Sequence, residues 1–218
     1  MYNKLIDHTL LKAFATKKEI IQLCREAKTY DFMSVCINPA FVSLAKKELA
    51  GSDVYVCTVI GFPLGANTIE VKAAETIDAI NNGADEIDMV INISKAKEHD
   101  YEYIYEEIKA VVAVSQSKIV KVIIETCHLT DKEKIEVCKC ASLAGALFVK
   151  TSTGFGTGGA TIKDVKLMRE NILSEMSVKA SGGIRDLKFM KELVEAGASR
   201  IGASSGVAIM KELKKEKK

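Results

Sequence analysis

Three apolar, β-branched runs of this chain are each interrupted by a lysine: IVKVIIET (119–126) carries Lys121, LFVKTS (147–152) carries Lys150, and SVKAS (177–181) carries Lys179. A strand lysine taken singly usually runs its methylene stem along apolar surface and leaves the ammonium in water. A strand carboxylate taken singly is usually a paired structural group. The polar residues inside or ending strand-like runs are few, namely Asp7, Cys36, Asp88, Lys121, Glu125, Lys150 and Lys179. If Lys150, Lys179 and Asp88 meet in one water-poor pocket, two cations and an anion face each other there. A lysine held beside a second ammonium and partly desolvated gives up its proton more readily, because both effects penalise charge. The free amine adds to carbonyl carbon and forms a Schiff base that acts as an electron sink. Lys121 and Glu125 lie four apart on one run, so they share a face and either pair or line the same cavity. Cys36 ends the run SVCI and reads either as packing or as a pocket wall.

A second signal lies in two short loops. Ser181, Gly182 and Gly183 follow one run, and Ser204, Ser205 and Gly206 follow the last and open a helix. Each alone is accounted for by a tight turn or an N-cap serine. Together, their small residues let backbone N–H groups approach an anion, and the helix terminus adds its dipole.

The elements that must position these residues alternate along the whole chain. Strand candidates are KLIDHTLL (4–11), SVCI (34–37), VYVCTVI (54–60), EIDMVI (86–91), IVKVIIET (119–126), LFVKTS (147–152), SVKAS (177–181) and RIGAS (200–204). Amphipathic helices are expected over 17–29, 39–49, 68–81, 101–115, 131–143, 162–175, 187–195 and from 206 to the end. Thr130 or Asp131 supplies an N-cap, and Gly145 a left-handed stop. The same Gly-Ala stop precedes a strand in NNGADEIDMVI, SLAGALFVK and VEAGASRIG. Strands apolar on both faces and alternating with helices predict a parallel sheet covered by helices. The count fits a single-domain (β/α)8 TIM barrel over residues 1–218 better than a doubly wound sheet. That architecture requires functional residues at the C-terminal ends of strands, with phosphate after strands seven and eight.

Composition excludes other classes. The formal net charge is +2, and the one dense basic cluster, 211–218, also carries Glu212 and Glu216 and reads as a solvated final helix, so no nucleic-acid partner is expected. No apolar run approaches the roughly 20 residues of a membrane span, and no signal peptide is evident, so a cytoplasmic protein is expected. The six cysteines form no CxxC pair and the three histidines are not at metal-ligand spacing from them, so reduced thiols and no metal are expected.

The ordered series DHTLLK, VCINPAFV, VIGFPLGAN, ETIDAINNGADEIDMVIN, KVIIET, KTSTGF with GGAT, VKASGGIR and RIGASSG spans nearly the whole chain. In it the chain resembles the deoxyribose-phosphate aldolases, class I aldolases on a (β/α)8 barrel. The resemblance implies reversible cleavage of 2-deoxy-D-ribose 5-phosphate to glyceraldehyde 3-phosphate and acetaldehyde, with no cofactor and with homo-oligomers common. By the same resemblance Lys150 is the Schiff-base former, Lys179 the second active-site lysine and Asp88 the proton-relay carboxylate. Asp7 and Cys36 match pocket residues, and Gly182, Gly183, Ser204 and Ser205 the phosphate turns, with Thr153 and Gly154 beside them. Some members carry a phosphate-holding lysine after KTSTG where this chain has Phe155, and some end in a tyrosine that this chain lacks. Two alternatives stay open: another lysine-dependent aldolase or phosphosugar isomerase on the same barrel, and a non-catalytic sugar-phosphate sensor.

Overall fold

In a computed structural model, which describes residues 2–216, the β-branched runs form short parallel strands: β1 (Ile6–Leu10), β2 (Ser34–Ile37), β3 (Tyr55–Ile60), β4 (Glu86–Val90), β5 (Ile119–Ile123), β6 (Phe148–Lys150), β7 (Ser177–Ser181) and β8 (Ala198–Ala203). They close in sequence order, with β1 pairing both β2 and β8. Parallel neighbours need a crossover. Helices supply it: α1 (Lys17–Tyr30), α2 (Val42–Glu48), α3 (Ile69–Asn81), α4 (Ile93–Lys97), α5 (Tyr101–Val114), α6 (Asp131–Leu143), α7 (Ile162–Glu170), α8 (Leu187–Glu195) and α9 (Gly206–Glu216). The expected (β/α)8 TIM barrel is therefore the fold, and among the described residues no helix is long and apolar enough to cross a membrane.

Local chemistry sets the helix ends. Thr130 caps α6, its hydroxyl accepting the Glu133 N–H while Glu133 accepts the Thr130 N–H, a reciprocal capping box. All three Gly-Ala stops behave alike: Gly83, Gly145 and Gly197 sit at φ +105°, +81° and +113°. After the first two, the alanine N–H turns back to the carbonyl five residues earlier, Ala84 to Ala79 and Ala146 to Ala141.

Several boundaries differ from the sequence reading. The run 119–126 leaves the sheet at Ile123, because Glu125 turns left-handed (φ +51°) and Thr126–His128 form a 3-10 turn. Runs 147–152 and 4–11 shorten to Phe148–Lys150 and Ile6–Leu10, the latter preceded by a 3-10 turn at Tyr2–Leu5. The helix expected over 39–49 divides into a 3-10 turn at Pro39–Phe41 and α2. The helix expected over 162–175 stops at Glu170, beyond which the Arg169 guanidinium binds the carbonyls of Leu173 and Met176. Helix α4, capped by Asn92, was not expected. The end of the basic tail, Lys217 and Lys218, lies outside the described residues.

The aliphatic core lies between barrel and helices, where Ile20, Val35, Ile87, Val149 and Leu193 are fully buried. Inside the barrel the usual layers of branched aliphatics are largely replaced: Asp7, Glu86, Asp88, Lys121, Lys179 and Arg200 are buried there, with an apolar remnant of Leu11, Cys36, Cys57 and Val59.

Candidate active site

Barrel register brings the charged residues together. Asp88 on β4 is the direct partner of Lys121 on β5, and Lys150 on β6 of Lys179 on β7. One carboxylate oxygen of Asp88, Oδ2, accepts from both Lys150 Nζ and Lys179 Nζ at 2.7 Å. Its other oxygen accepts from Lys121 Nζ at 2.9 Å. The circuit then closes: Lys121 reaches Glu86 (2.7 Å), Glu86 takes two donors from Arg200, Arg200 Nε donates to Asp7 (3.0 Å), and Lys179 Nζ lies 2.5 Å from Asp7. Four cations thus share three carboxylates, and Lys150 shares its one carboxylate oxygen with Lys179.

The surroundings set each protonation state. Burial alone would raise the Asp88 carboxyl, but Lys121, Lys150 and Lys179 outweigh it and hold Asp88 well below the usual carboxylate range. Asp7 is lowered in the same way, against burial, by Lys179 and Arg200. For Lys179, burial disfavours charge, yet Asp7 and Asp88 raise it well above an ordinary lysine. Lys179, the expected cationic neighbour of Lys150, is therefore held as ammonium by two carboxylates. Burial pushes the Cys57 thiol up, and its Sγ donates to Asp88 Oδ1 at 3.1 Å.

Above this floor opens a cavity of about 420 Å³ at the C-terminal ends of β1, β6, β7 and β8. Lys150 reaches it from below, and Thr153, Gly154, Gly182, Gly183, Ser204 and Ser205 line its wall, so the strand-end lysine and both glycine-serine turns are brought to one place. The loops after β6 and β7 pack backbone to backbone: Ala160 N–H donates to the Gly182 carbonyl, and a Cβ on Gly159 would lie 2.3 Å from that oxygen. Four sequence candidates do not line the cavity: Asp88 and Lys179 are fully buried in the floor beneath Lys150, and Asp7 and Cys36 lie with them. Asp7 lies beneath Lys179, and Cys36 sits fully buried with its Sγ 4.0 Å from Asp88 Oδ2.

Lys121 and Glu125 do not pair: Lys121 is taken up by Glu86 and Asp88, and Glu125 bonds Thr153. Cys36, Cys57 and Asp88 place ligand-type atoms within 4.8 Å of one another, but both Asp88 oxygens already face ammonium groups.

Sequence reading missed Glu86 and Arg200. Glu86 opens its strand and Arg200 opened the expected one, places from which charges usually leave for solvent, but β8 begins at Ala198 and carries Arg200 inside. It also missed two exposed cations on the cavity rim, Lys12 and Arg185; Phe155, which the sequence had singled out, lines the same cavity, and its ring meets Phe62 edge-on at 5.4 Å. The one signal of the two cations was position just after a strand.

A closed eight-stranded barrel with an amine-and-carboxylate cluster under a cavity walled by glycine-serine turns defines a (β/α)8 barrel with a lysine site at the C-terminal ends of its strands. The chain belongs to the DeoC/LacD family of aldolases, whose family model matches residues 2–212. It is 61% identical over 211 residues to a deoxyribose-phosphate aldolase of Lactococcus lactis subsp. lactis, covering 97% of this chain and 96% of that one. With a Streptococcus gordonii protein of the same name it shares 62% identity over 209 residues, covering 96% and 95% of the two chains. Among solved structures it is similar to a tetrameric deoxyribose phosphate aldolase from Aeropyrum pernix, with TM-score 0.88 and 36% identity over 97% of this chain and 90% of that one.

Proposed function

We propose that the protein cleaves 2-deoxy-D-ribose 5-phosphate reversibly to D-glyceraldehyde 3-phosphate and acetaldehyde through a Schiff base on Lys150. The observation that carries this reading is the shared Asp88 oxygen, 2.7 Å from Lys150 and 2.7 Å from Lys179, directly beneath the cavity. The names of the relatives supply the substrate, and the rim cations Lys12 and Arg185 beside the glycine-serine turns suit its phosphate.

The open-chain sugar enters with its phosphate at the turns formed by Gly182, Gly183, Ser204 and Ser205. The Lys150 amine adds to the aldehyde carbon, and loss of water gives an iminium ion. Asp88, with Lys179 and a water as relay, takes the proton from the hydroxyl two carbons beyond the imine carbon. That oxygen becomes a carbonyl as the carbon–carbon bond breaks, and the electron pair moves into the iminium to give an enamine. Glyceraldehyde 3-phosphate departs, the enamine takes a proton at carbon, and water releases acetaldehyde and the amine. Before the relay acts, the ammonium of Lys179, held by Asp7 and Asp88, sets a positive charge next to the reacting nitrogen. A charge set in place in this way needs no reorganisation when the reaction begins.

Borohydride added with substrate is expected to fix a covalent adduct that peptide mapping places on Lys150. Lys150→Ala is expected to keep the fold and lose both adduct and turnover, and a folded variant with normal turnover would sink the assignment. Self-association, as in the Aeropyrum pernix relative, belongs to the same proposal, and light scattering at working concentration tests it.

A further inference from the structure

Glu125 is a buried carboxylate that the proposed chemistry does not use. It is 2% exposed, and Lys121, the cation nearest to it along β5, is committed to Glu86 and Asp88. Its oxygens accept instead from the loop after β6: both lie 3.3 Å from the Thr153 backbone N–H, and the Thr153 hydroxyl donates to Oε2. That hydroxyl oxygen in turn accepts the Phe155 N–H at 3.0 Å, so one carboxylate organises the turn at residues 153–155.

The backbone is bent to deliver this contact. Glu125 adopts φ +51°, ψ +67°, a left-handed conformation that costs a residue with a Cβ. On either side the chain still bonds the extension of β6, but with a one-residue slip at Glu125: Ile124 N–H donates to the Lys150 carbonyl and Thr126 N–H to that of Thr151. The left-handed residue therefore sits inside a paired segment next to the Schiff-base strand. The loop closes down on it: a Cβ on Gly156 would lie 2.9 Å from Cys127 Sγ and 3.2 Å from Glu125 Cδ. Thr153, Gly154 and Phe155 all face the cavity that Lys150 enters.

We infer that Glu125 is a positioning residue for this site: its carboxylate, acting through Thr153, holds the turn at residues 153–155 where it contacts the phosphosugar. Buried backbone strain persists where the surroundings over-determine it, and here the constraint sits beside substrate-facing groups. The inference rests on the aldolase reading for its substrate, but the position of the turn has a readout of its own.

Glu125→Gly separates the carboxylate from the backbone, because glycine takes the left-handed conformation freely. The variant is expected to stay folded, relief of the left-handed strain offsetting part of the cost of the hydrogen bonds lost at Thr153. Its KM for deoxyribose 5-phosphate is expected to rise about tenfold with kcat changed less than about threefold, the pattern of a lost substrate-positioning contact. Borohydride trapping of acetaldehyde on Lys150 is expected to be unchanged, and amide exchange at Thr153 and Phe155 to accelerate. Glu125→Gln, which keeps one acceptor oxygen, is expected to fall between the two. Wild-type KM and wild-type exchange in Glu125→Gly would overturn the inference, as would an equal loss of trapping and turnover in the folded variant. If the wild-type protein itself shows no cleavage, the aldolase reading fails, while the exchange measurement still decides whether Glu125 holds the turn.

Discussion

Four lysines in and above this barrel behave in three ways, and what each does follows from its partners. Lys121 lies between Glu86 and Asp88, where burial opposes its charge but Asp88, Cys57 and Glu86 raise it above an ordinary lysine. Lys179 is likewise held charged by Asp7 and Asp88, whereas Lys150 alone of the three reaches the cavity. Lys12 stands on the rim, its Nζ 5.6 Å from the Phe14 ring centroid. Lys12 and Arg185 line the cavity rim beside Phe155, where the proposed substrate's phosphate would lie. Lys12→Ala with Arg185→Ala is expected to raise KM for the 5-phosphate by about thirtyfold, in line with losing two charge-assisted contacts of about 1 kcal/mol each at an exposed rim. KM for unphosphorylated 2-deoxyribose is expected to stay constant, and added salt to affect the double variant less than wild type. Steady-state kinetics with both sugars check this, and equal effects on the two would refute it. Lys150, Lys179 and Asp88 were legible because a charge within an apolar run is conspicuous. Lys12 and Arg185 were not, because a loop cation looks the same whether it faces solvent or a cavity that only barrel closure creates.

Helices α6 and α8, each with a capping residue at its start and a glycine just past its end, were legible to within a residue, because both signals act locally. Strand ends were less so, since β5 and β6 stop where tertiary contacts redirect the chain at Glu125 and Thr151. Helix α3 inverts the usual reading: Val71 and Ile77 are exposed while Lys72 is fully buried. Lys72 Nζ donates to the carbonyls of Gly65 and Val90 at 2.8 Å and to Glu107 on α5, and Glu107 accepts the Asn92 N–H. This pair ties the loops after β3 and β4 to the helices behind them. Burial works against both charges, pulling Lys72 down and pushing Glu107 up despite their mutual attraction. Lys72→Met would leave the Glu107 carboxylate buried without its cation, at a cost of about 3–5 kcal/mol. The sign of the pH dependence follows from Glu107: a carboxylate whose folded pKa is raised binds its proton more tightly when folded, so stability falls as pH rises through the unfolded value toward the folded one. The variant's deficit is therefore expected to be smaller at acid pH than at neutral pH. Urea unfolding at both values measures it, and a loss below about 1 kcal/mol at neutral pH would show the pair to be dispensable.

At the scale of the molecule, the barrel divides its stabilising forces by location. Aliphatic burial holds the helices to the outside of the sheet, while a closed ring of ion pairs fills much of the inside. The alternation of strands and helices made the outer layer legible. The ring was not, because its members come from β1, β4, β5, β7 and β8 and become neighbours only on closure. Such a ring makes the whole fold acid-sensitive. Asp7 and Asp88 have folded pKa values depressed below the unfolded carboxylate, so the folded state holds fewer protons there. Their stabilisation is fully present above the unfolded carboxylate pKa of about 4 and is lost as pH falls through the folded values. Arg200 joins Asp7 to Glu86 and is one of the cations that depress Asp7. Arg200→Met moves the Asp7 carboxyl back toward its unfolded value and leaves Lys179 and Lys121 to hold Asp7 and Glu86. The variant is expected to lose about 3–5 kcal/mol at neutral pH, the cost of breaking a buried ion pair, and to unfold in acid at a higher pH than wild type. Far-UV circular dichroism during acid titration reads the second effect, and an unchanged acid midpoint in a destabilised variant would mean that Arg200 acts by packing against the Phe148 ring, 5.8 Å away, and not by charge.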